Sequence, residues 1–334
     1  MKVAIVILNW NGEKLLEKFL PSVIKYSLEY ADVYIADNAS TDNSIAFVKE
    51  NYPEINIIVN KENGGYAKGY NDALKHIKAD IFCLLNSDIE VTNNWLKPII
   101  DVFNKNEKTA VVQPKILDFK DKSKFEYAGA AGGYLDFFGF PFCRGRIFNS
   151  IEKDYNQYND EATIFWASGA CLFVKSAVFF EANGFDEDYF AHQEEIDLCW
   201  RIHNLGYTIK YCGLSIVYHV GGATLNNMHP KKTFLNFRNS LFNIIKNTPS
   251  NWMIIIILSR LFLDGLAGIR FILQFKINHT FAIIKAHFSF YYYFIKFLKK
   301  RKNVKQSVKY YRVKSIVWQY FVLRKKKFSV LKNV

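Results

Sequence analysis

The chain has 334 residues, 44 Lys+Arg against 31 Asp+Glu for a formal net charge of +13, and half of its residues are apolar. Such hydrophobicity excludes intrinsic disorder, and five cysteines in this length exclude a small fold built from disulfides. The length suits one large domain or two smaller ones with ample residues for a buried core.

From the N-terminus, the apolar run Val3–Leu8 before Asn9 is too short for a signal-peptide core, and no small-residue cleavage site follows, so the body is expected in the cytosol. VAIVIL (3–8), VYIA (33–36), INIIV (55–59) and IFCLL (81–85) read as buried strands rich in β-branched residues. Between them, residues 13–30, 44–51 and 66–78 have helical apolar spacing, with Ser40 and Asp42 as cap chemistry before the second helix. Strand–helix alternation predicts an α/β fold, a parallel sheet with helices on both faces. Residues 109–245 are less regular, with Gly-rich 128–134, aromatic-rich 137–146 and a second group of strand and helix signals. Cys83, Cys143, Cys171, Cys199 and Cys212 have no C-x-x-C spacing and read as buried, reduced thiols.

In such a sheet, ligands bind beyond the carboxyl ends of the strands. All four strand ends here carry polar or Gly-rich sequence: Asn9-Trp10-Asn11-Gly12, Asp37 to Asp42, Asn63 to Asn71, and Asn86-Ser87-Asp88. One such cluster is ordinary turn chemistry; four exceed what turns require. Asp88, at the mouth of a buried strand, is placed either to hold Mg²⁺ or Mn²⁺ against phosphates or to cap a helix starting near Asn93. Residues 189–207 form the densest polar cluster. Glu194, Glu195 and Asp197 fall on the first turn of an apolar-faced helix, where they complement its dipole or supply a general base. His219 ends a strand and is either structural or part of a metal or diphosphate site.

Together, VAIVILNWNG, ADNASTDNS, NKENGGYAKGYNDAL, LLNSDIEV, WASGACLFVKSAVFFEANGFDEDYF, HQEEIDLCWRIHNLGY, VYHVGGATL and KTFLNFRNSL resemble family 2 glycosyltransferases of the bacterial rhamnosyltransferase-like branch over nearly all of residues 1–245. The resemblance implies a GT-A fold, a Rossmann-like mixed sheet flanked by helices, and an inverting transfer from a nucleotide-sugar donor (UDP-, dTDP- or GDP-linked). It puts Asn9 and Asn11 near the donor nucleotide and Asp37 on its base. Gly65, Lys68 and Asn71 belong to a loop closing over nucleoside and diphosphate. Asp88 is the metal-binding Asp of a DxD-type motif whose first Asp is replaced by Asn86, and Ser87 lies with the donor. Gly169 and Ala170 face the donor sugar. Glu194 and Glu195 match a Glu-Asp pair whose second member is the base, and His219 helps hold Mg²⁺ or Mn²⁺ or the diphosphate. Residues 128–146 and Trp166 are candidate acceptor-side elements.

Beyond Thr248-Pro249-Ser250 the character changes, which divides the chain into 1–248 and 249–334. No acid follows Asp264: residues 265–334 hold 17 Lys+Arg, leaving 27 basic residues and all 31 acids in 1–264, a net −4. Residues 252–275 are long enough to span a bilayer, at about 1.5 Å per residue against a core of about 30 Å. Arg260, Asp264 and Arg270 interrupt them, and Arg260 and Asp264 are spaced to pair on one face. Together with 280–298, this predicts amphipathic helices lying in the membrane interface, with Lys299 to Lys302 and Arg324 to Lys327 attracting anionic lipid at up to ~1 kcal/mol per charge. A helical subdomain packed on the body is the competing reading. A nucleic-acid partner is not expected, because the basic residues alternate with aliphatic runs rather than a stacking platform. The combined expectation is a peripheral enzyme on the inner face of the cell membrane, acting on a lipid-linked or growing glycan in surface polysaccharide synthesis such as lipopolysaccharide. A sugar-phosphate nucleotidyltransferase and a non-catalytic membrane-binding protein are the alternatives.

Overall fold

A computed structural model of the chain describes residues 1–221, 229–301 and 309–331. The first third runs β1 (Val3–Asn9), α1 (Glu13–Ser27), β2 (Ala31–Asp37), α2 (Ser44–Asn51), β3 (Asn56–Val59), α3 (Gly65–Leu74), β4 (Ile81–Asn86), β5 (Ile89–Val91) and α4 (Leu96–Lys105). β1 pairs in parallel with β2 and β4, and β2 with β3, giving the order β4-β1-β2-β3. Successive side chains of a strand point to opposite faces. Ala4 and Val6 accordingly enter one hydrophobic core, and Val3, Ile5 and Ile7 enter the other. Burial on both faces is why this strand reads as an unbroken apolar run.

The middle region supplies β6 (Thr109–Asp118), a small antiparallel sheet of β7 (Gly133–Leu135), β8 (Pro141–Cys143), β9 (Arg146–Ile147) and β10 (Ser150–Ile151), then β11 (Glu161–Ile164), β12 (Cys171–Lys175), α5 (Ser176–Glu181), α6 (Glu194–Asn204) and β13 (Thr208–His219). The main sheet is mixed rather than parallel. β12 runs antiparallel to both β4 and β6, while β13 is parallel to β6 and antiparallel to β5 and β11. β12 starts where β4 ends, its entry fixed by the Asn86 amide donating to Ala170 O at 2.9 Å, so it can only run back. The ends of β1, β2 and β4, the start of β12, the end of β13 and the start of α6 therefore share one rim.

Three long helices follow: α7 (Pro230–Asn247), α8 (Ser250–Leu273) and α9 (Ile277–Lys300). α9 lies along α7, where Phe242 and Phe297 stack with centroids 3.6 Å apart. Arg260 and Asp264 pair as their spacing predicts, 3.4 Å apart, with His287 of α9 3.3 Å from the same carboxylate. These charges are 2% and 0% exposed, whereas Phe262 and Leu273 on the same helix are 67% and 75% exposed. The polar stripe of α8 thus faces the protein and its apolar side faces outward. Ile254, Leu258, Phe281, Phe288, Tyr292 and Ile295 extend this outer face across α8 and α9. α8 is long and apolar enough to cross a membrane, by length and composition. Arg270, the third charge that interrupts this stretch, is exposed and lies over the Phe321 ring. The segment after residue 308 returns to the body: the Arg312 amide donates to Leu135 O at 2.9 Å and the Ile316 amide to Asp136 Oδ2 at 2.9 Å. Aromatic residues of the tail divide accordingly, with Phe290, Phe297, Tyr310 and Phe328 buried and Trp318 and Phe321 exposed.

Candidate active site

The rim is organised from its loops. Asp37 ends β2 only 2% exposed. Its Oδ1 accepts from Asn9 Nδ2 at 3.0 Å and from Ser40 Oγ at 2.5 Å, and its Oδ2 accepts from the Ser40 amide at 2.9 Å. Asn11, in a left-handed conformation, accepts from the Thr41 amide at 2.7 Å and donates its own amide to Ser40 Oγ at 2.9 Å. Ser40, expected as cap chemistry for α2, instead ties the first two loops together. Asp42 alone serves helix starts, accepting from the amides of Glu13 and Ser44 at 3.1 Å each. Asn9 Oδ1 is buried without a hydrogen-bond partner, so the first loop holds an acceptor in reserve.

At the start of α3, Gly65 has φ +79°, and a Cβ there would stand 2.7 Å from Phe190 O, so glycine is required on both counts. Lys68 is turned along its helix to Asp72 at 2.5 Å. Asn71 stands one step back from the rim. Its amide exchanges two 2.9 Å hydrogen bonds with the backbone of Phe185 and fastens α3 to the segment leading to α6.

Asp88 and His219 meet, Asp88 Oδ1 lying 3.2 Å from His219 Nε2. β5 follows Asp88 directly and α4 starts only at Leu96, so Asp88 caps no helix. Glu126, which carries no signal in the sequence, lies 3.5 Å from His219 Nδ1. Burial alone would lower the basicity of His219, but the carboxylates of Asp88 and Glu126 beside it outweigh that and push its pKa up to about 10. Asn86 Nδ2 is 3.5 Å from the same imidazole, and Ser87 is half-buried between Asn86 and Asp88. Among the described residues, no three His, Cys, Asp or Glu side chains gather into a metal cage. The Asp88 carboxylate and a His219 imidazole that has given up its Nε2 proton fit a divalent cation whose remaining positions are filled by phosphate oxygens and water. Gly222, in the segment after His219, and Lys302 of the tail lie outside the described residues.

Glu194 and Glu195 open α6, as their spacing predicts. The turn before them is strained: Phe190, His192 and Gln193 have φ of 63°, 69° and 74° without a glycine among them. Each such residue costs of order 1–3 kcal/mol, and strain of this kind clusters at functional sites. One carboxylate oxygen of each glutamate, Oε2, is enclosed and makes no hydrogen bond. Burial pushes Glu195 up to about 7, against the pull of backbone amides at the helix start. Burial and the adjacent Glu195 likewise raise Glu194 well above the ordinary carboxylate range. Gly169 separates Glu195 from Tyr66: a Cβ on Gly169 would be 2.9 Å from the Tyr66 hydroxyl and 3.8 Å from Glu195 Cβ. The Tyr66 hydroxyl donates to Gly169 O at 2.7 Å. Burial, together with Tyr70, Glu194 and Glu195, keeps that hydroxyl protonated. Tyr66 lies inside a quoted motif, yet nothing in its spacing marks it. Ala170 is buried beside Ser168, whose Oγ accepts the Ala170 amide at 3.2 Å. Trp166, expected near an acceptor, is a core residue: it packs on Gly133, and its Nε1 donates to Tyr134 O at 3.0 Å. All five cysteines are buried and free, as their spacing predicts.

The rim therefore gathers a polar loop group (Asn9, Asn11, Asp37, Gly65), an Asp88–His219 pair and a buried glutamate pair. N-acetylglucosaminyl-diphospho-decaprenol L-rhamnosyltransferase of Mycobacterium tuberculosis is 24% identical over 231 residues, which cover 64% of this chain and 75% of the relative. Rhamnosyltransferase WbbL of Escherichia coli is 25% identical over 63% of this chain and 80% of its own. Among solved structures, mannosyltransferase PcManGT from Pyrobaculum calidifontis, in complex with GDP-Man and Mn²⁺, superposes with a TM-score of 0.54 at 14% identity, covering 87% of both chains. Residues 4–178 match the profile described as Glycosyl transferase family 2, and the chain belongs to that family, as a rhamnosyltransferase-like glycosyltransferase with a GT-A fold.

Proposed function

We propose that the chain is an inverting glycosyltransferase that moves a sugar from a nucleoside-diphosphate donor to a hydroxyl of a lipid-linked glycan during surface polysaccharide synthesis. The observation that carries this reading is Glu195. It is a carboxylate with a pKa of about 7 and an unpartnered oxygen, facing the Gly169 loop at the shared rim. A general base works best when its pKa lies near the working pH. The two adjacent carboxyls disfavour each other's charge, so the pair holds a proton near neutral pH, and the reactive form is the one with Glu195 ionised. Glu195 then takes the acceptor hydroxyl's proton as that oxygen attacks the anomeric carbon. The carbon–oxygen bond to the diphosphate breaks on the opposite face, and its electron pair leaves with the diphosphate. Asp88 and His219 would hold Mg²⁺ or Mn²⁺, which when bound neutralises diphosphate charge. Asn9, Asn11, Asp37, Ser87, Gly65 and Lys68 would bind the nucleotide and diphosphate, and Gly169 and Ala170 would line the sugar.

Residues 249–334 are read as the region that seats a catalytic body of residues 1–248 on the inner face of the membrane. The support is the inverted polarity of α8, whose charges are buried while its apolar side is exposed, and the basic excess of the tail. Exposed apolar surface of this extent marks a membrane or partner interface. Membership of a glycosyltransferase family sets aside the nucleotidyltransferase and non-catalytic alternatives.

The test uses purified full-length protein with Mn²⁺, a polyprenyl-diphosphate-sugar acceptor and a panel of UDP-, dTDP- and GDP-sugars. Acceptor-dependent release of a nucleoside diphosphate is expected. Glu195→Gln is expected to lower it by at least ~10²-fold. Full turnover in Glu195→Gln, with loss in Glu194→Gln, would move the base by one residue.

A further inference from the structure

The left-handed turn ahead of α6 has no glycine to make it easy, so something outside the turn must hold it. The side chain of Asn239 on α7, fully buried, does so. Its Nδ2 lies 3.2 Å from Tyr189 O, 3.0 Å from Ala191 O and 2.7 Å from His192 O, so three carbonyls share the two hydrogens of one amide. Arg238 Nε donates to Asn239 Oδ1 at 2.9 Å and so orients that amide with its nitrogen toward the turn. One helical turn later, Asn243 Nδ2 lies 3.3 Å from Gln193 O, and Asn243 Oδ1 accepts from the Tyr189 hydroxyl at 2.7 Å. The clamped turn touches both halves of the site. Phe190 O accepts the Tyr66 amide at 3.2 Å beside Gly65, while Gln193 is the residue from which the Glu194–Glu195 helix starts.

We propose that Asn239 is a positioning residue for sugar transfer: it holds the left-handed turn of residues 190–193 and thereby sets the direction of the Glu195 carboxylate. This rests on Glu195 being the base. A turn ahead of a helix ordinarily presents its carbonyls to water. Here an amide from a separate helix replaces the water, so the turn keeps one shape and the glutamate keeps its dry position. Glu195 is faced by Glu194 and Cys199 of its own helix, by Tyr66 of α3 and by Cys143 of β8. None of these is positively charged, so release of the turn acts on Glu195 mainly through entry of water.

Asn239→Ala in the full-length enzyme is expected to lower kcat about 100-fold, the size of loss that a misplacement of about 1 Å produces. The acidic limb of its kcat–pH profile is expected to move down from near 7 toward the ordinary carboxylate range. Adding Gln193→Gly, which allows the left-handed conformation without help, is expected to recover at least about tenfold of that loss. Unchanged kcat and pH profile in a folded Asn239→Ala would overturn the proposal. So would a fall in kcat with an unmoved acidic limb and no recovery from Gln193→Gly, because that is the signature of general weakening. Should Asn239→Ala not fold, Asn239→Ser, which keeps one donor, carries the same three expectations. Glu195→Gln run alongside separates the two ideas: wild-type turnover there removes the base assignment itself, whatever Asn239 does.

Discussion

Glu194 and Glu195 sit side by side in a place that disfavours charge on either, and this fixes two opposite dependences on pH. With Glu195 as the proposed base, kcat should rise with pH through about 7 along a one-proton limb, read from single-turnover transfer between pH 5 and 9. Stability runs the other way. A carboxyl whose folded pKa is raised contributes stability that is fully present below its unfolded value near 4.5 and is lost as pH climbs through the folded value. Burial raises Glu194 in the same sense, so Glu194→Gln removes its share of the penalty and is expected to raise Tm at pH 8 by on the order of 2 °C in a calorimetric scan. An unchanged or lower Tm would mean that Glu194 has a partner that holds its charge. Asp88→Ala, which removes the carboxylate at the mouth of β4, should abolish transfer with the fold retained, and Tm should fall by several degrees because the buried His219 loses one of its two carboxylates. At this scale the sequence was informative where chemistry coincides with a strand end, as at Asn9, Asp37 and Asp88. It was silent on Glu126 and Tyr66, whose partners are 93 and 103 residues away in the chain and arise only from tertiary pairing.

The elements divide along a similar line. β1 to β4 and the helices between them were legible because each is buried by its neighbours in sequence, and the apolar period shows it. The antiparallel entry of β12 was not legible as strand direction, because it depends on where the chain re-enters the sheet. The strands of the small sheet are two or three residues long, too short for any period. α7 hid its role differently. Asn239, Asn243, Lys246 and Asn247 form a buried polar face, which a pattern search reads as a solvent-facing one. Lys246 pairs with Asp186 at 2.7 Å and with Asp197 at 2.8 Å, and Asn247 donates to Asp197 at 2.9 Å, so the helix satisfies in the interior what water would satisfy outside. An element-level prediction concerns the start of α3. Gly65→Ala meets both a positive φ and a backbone oxygen at 2.7 Å, so it should displace Phe190 from the donor loop. kcat/KM for the nucleotide sugar is expected to fall at least ~10-fold, with a Tm loss of a few degrees at most.

For the whole molecule, the mean charge conceals a division between a body of net −4 and a tail of 17 Lys+Arg. The packing reading describes one side of the tail, and the proposed membrane contact concerns the other. One side of the tail packs on the body through Phe290, Phe297, Tyr310 and Phe328, and the other side presents apolar residues outward. Truncation at residue 248 would strip Phe297 from Phe242 and expose α7, so surface variants are the better probe. Leu258→Glu with Phe262→Glu, both on the outer side of α8, should abolish flotation with vesicles containing anionic lipid while leaving the far-UV spectrum unchanged. Raising salt should weaken flotation of the parent without eliminating it, because screening acts on the lysines and not on the apolar face. Equal flotation of variant and parent would remove the membrane from the tail's role.

The basic side of α9 reaches the body at one telling place. Lys296 and Lys300 pair with Asp188 at 2.7 and 2.6 Å, and Lys300 also with Asp186 at 2.5 Å, two to four residues before Phe190. The outward apolar face and the glutamate pair are thereby parts of one braced block. Seated on a bilayer as proposed, such a block would work as a height gauge: the gap between the lipid plane and Glu195, the proposed base, would be set by the protein, so lipid-linked acceptors should be sorted by how far their free hydroxyl stands from their own lipid anchor.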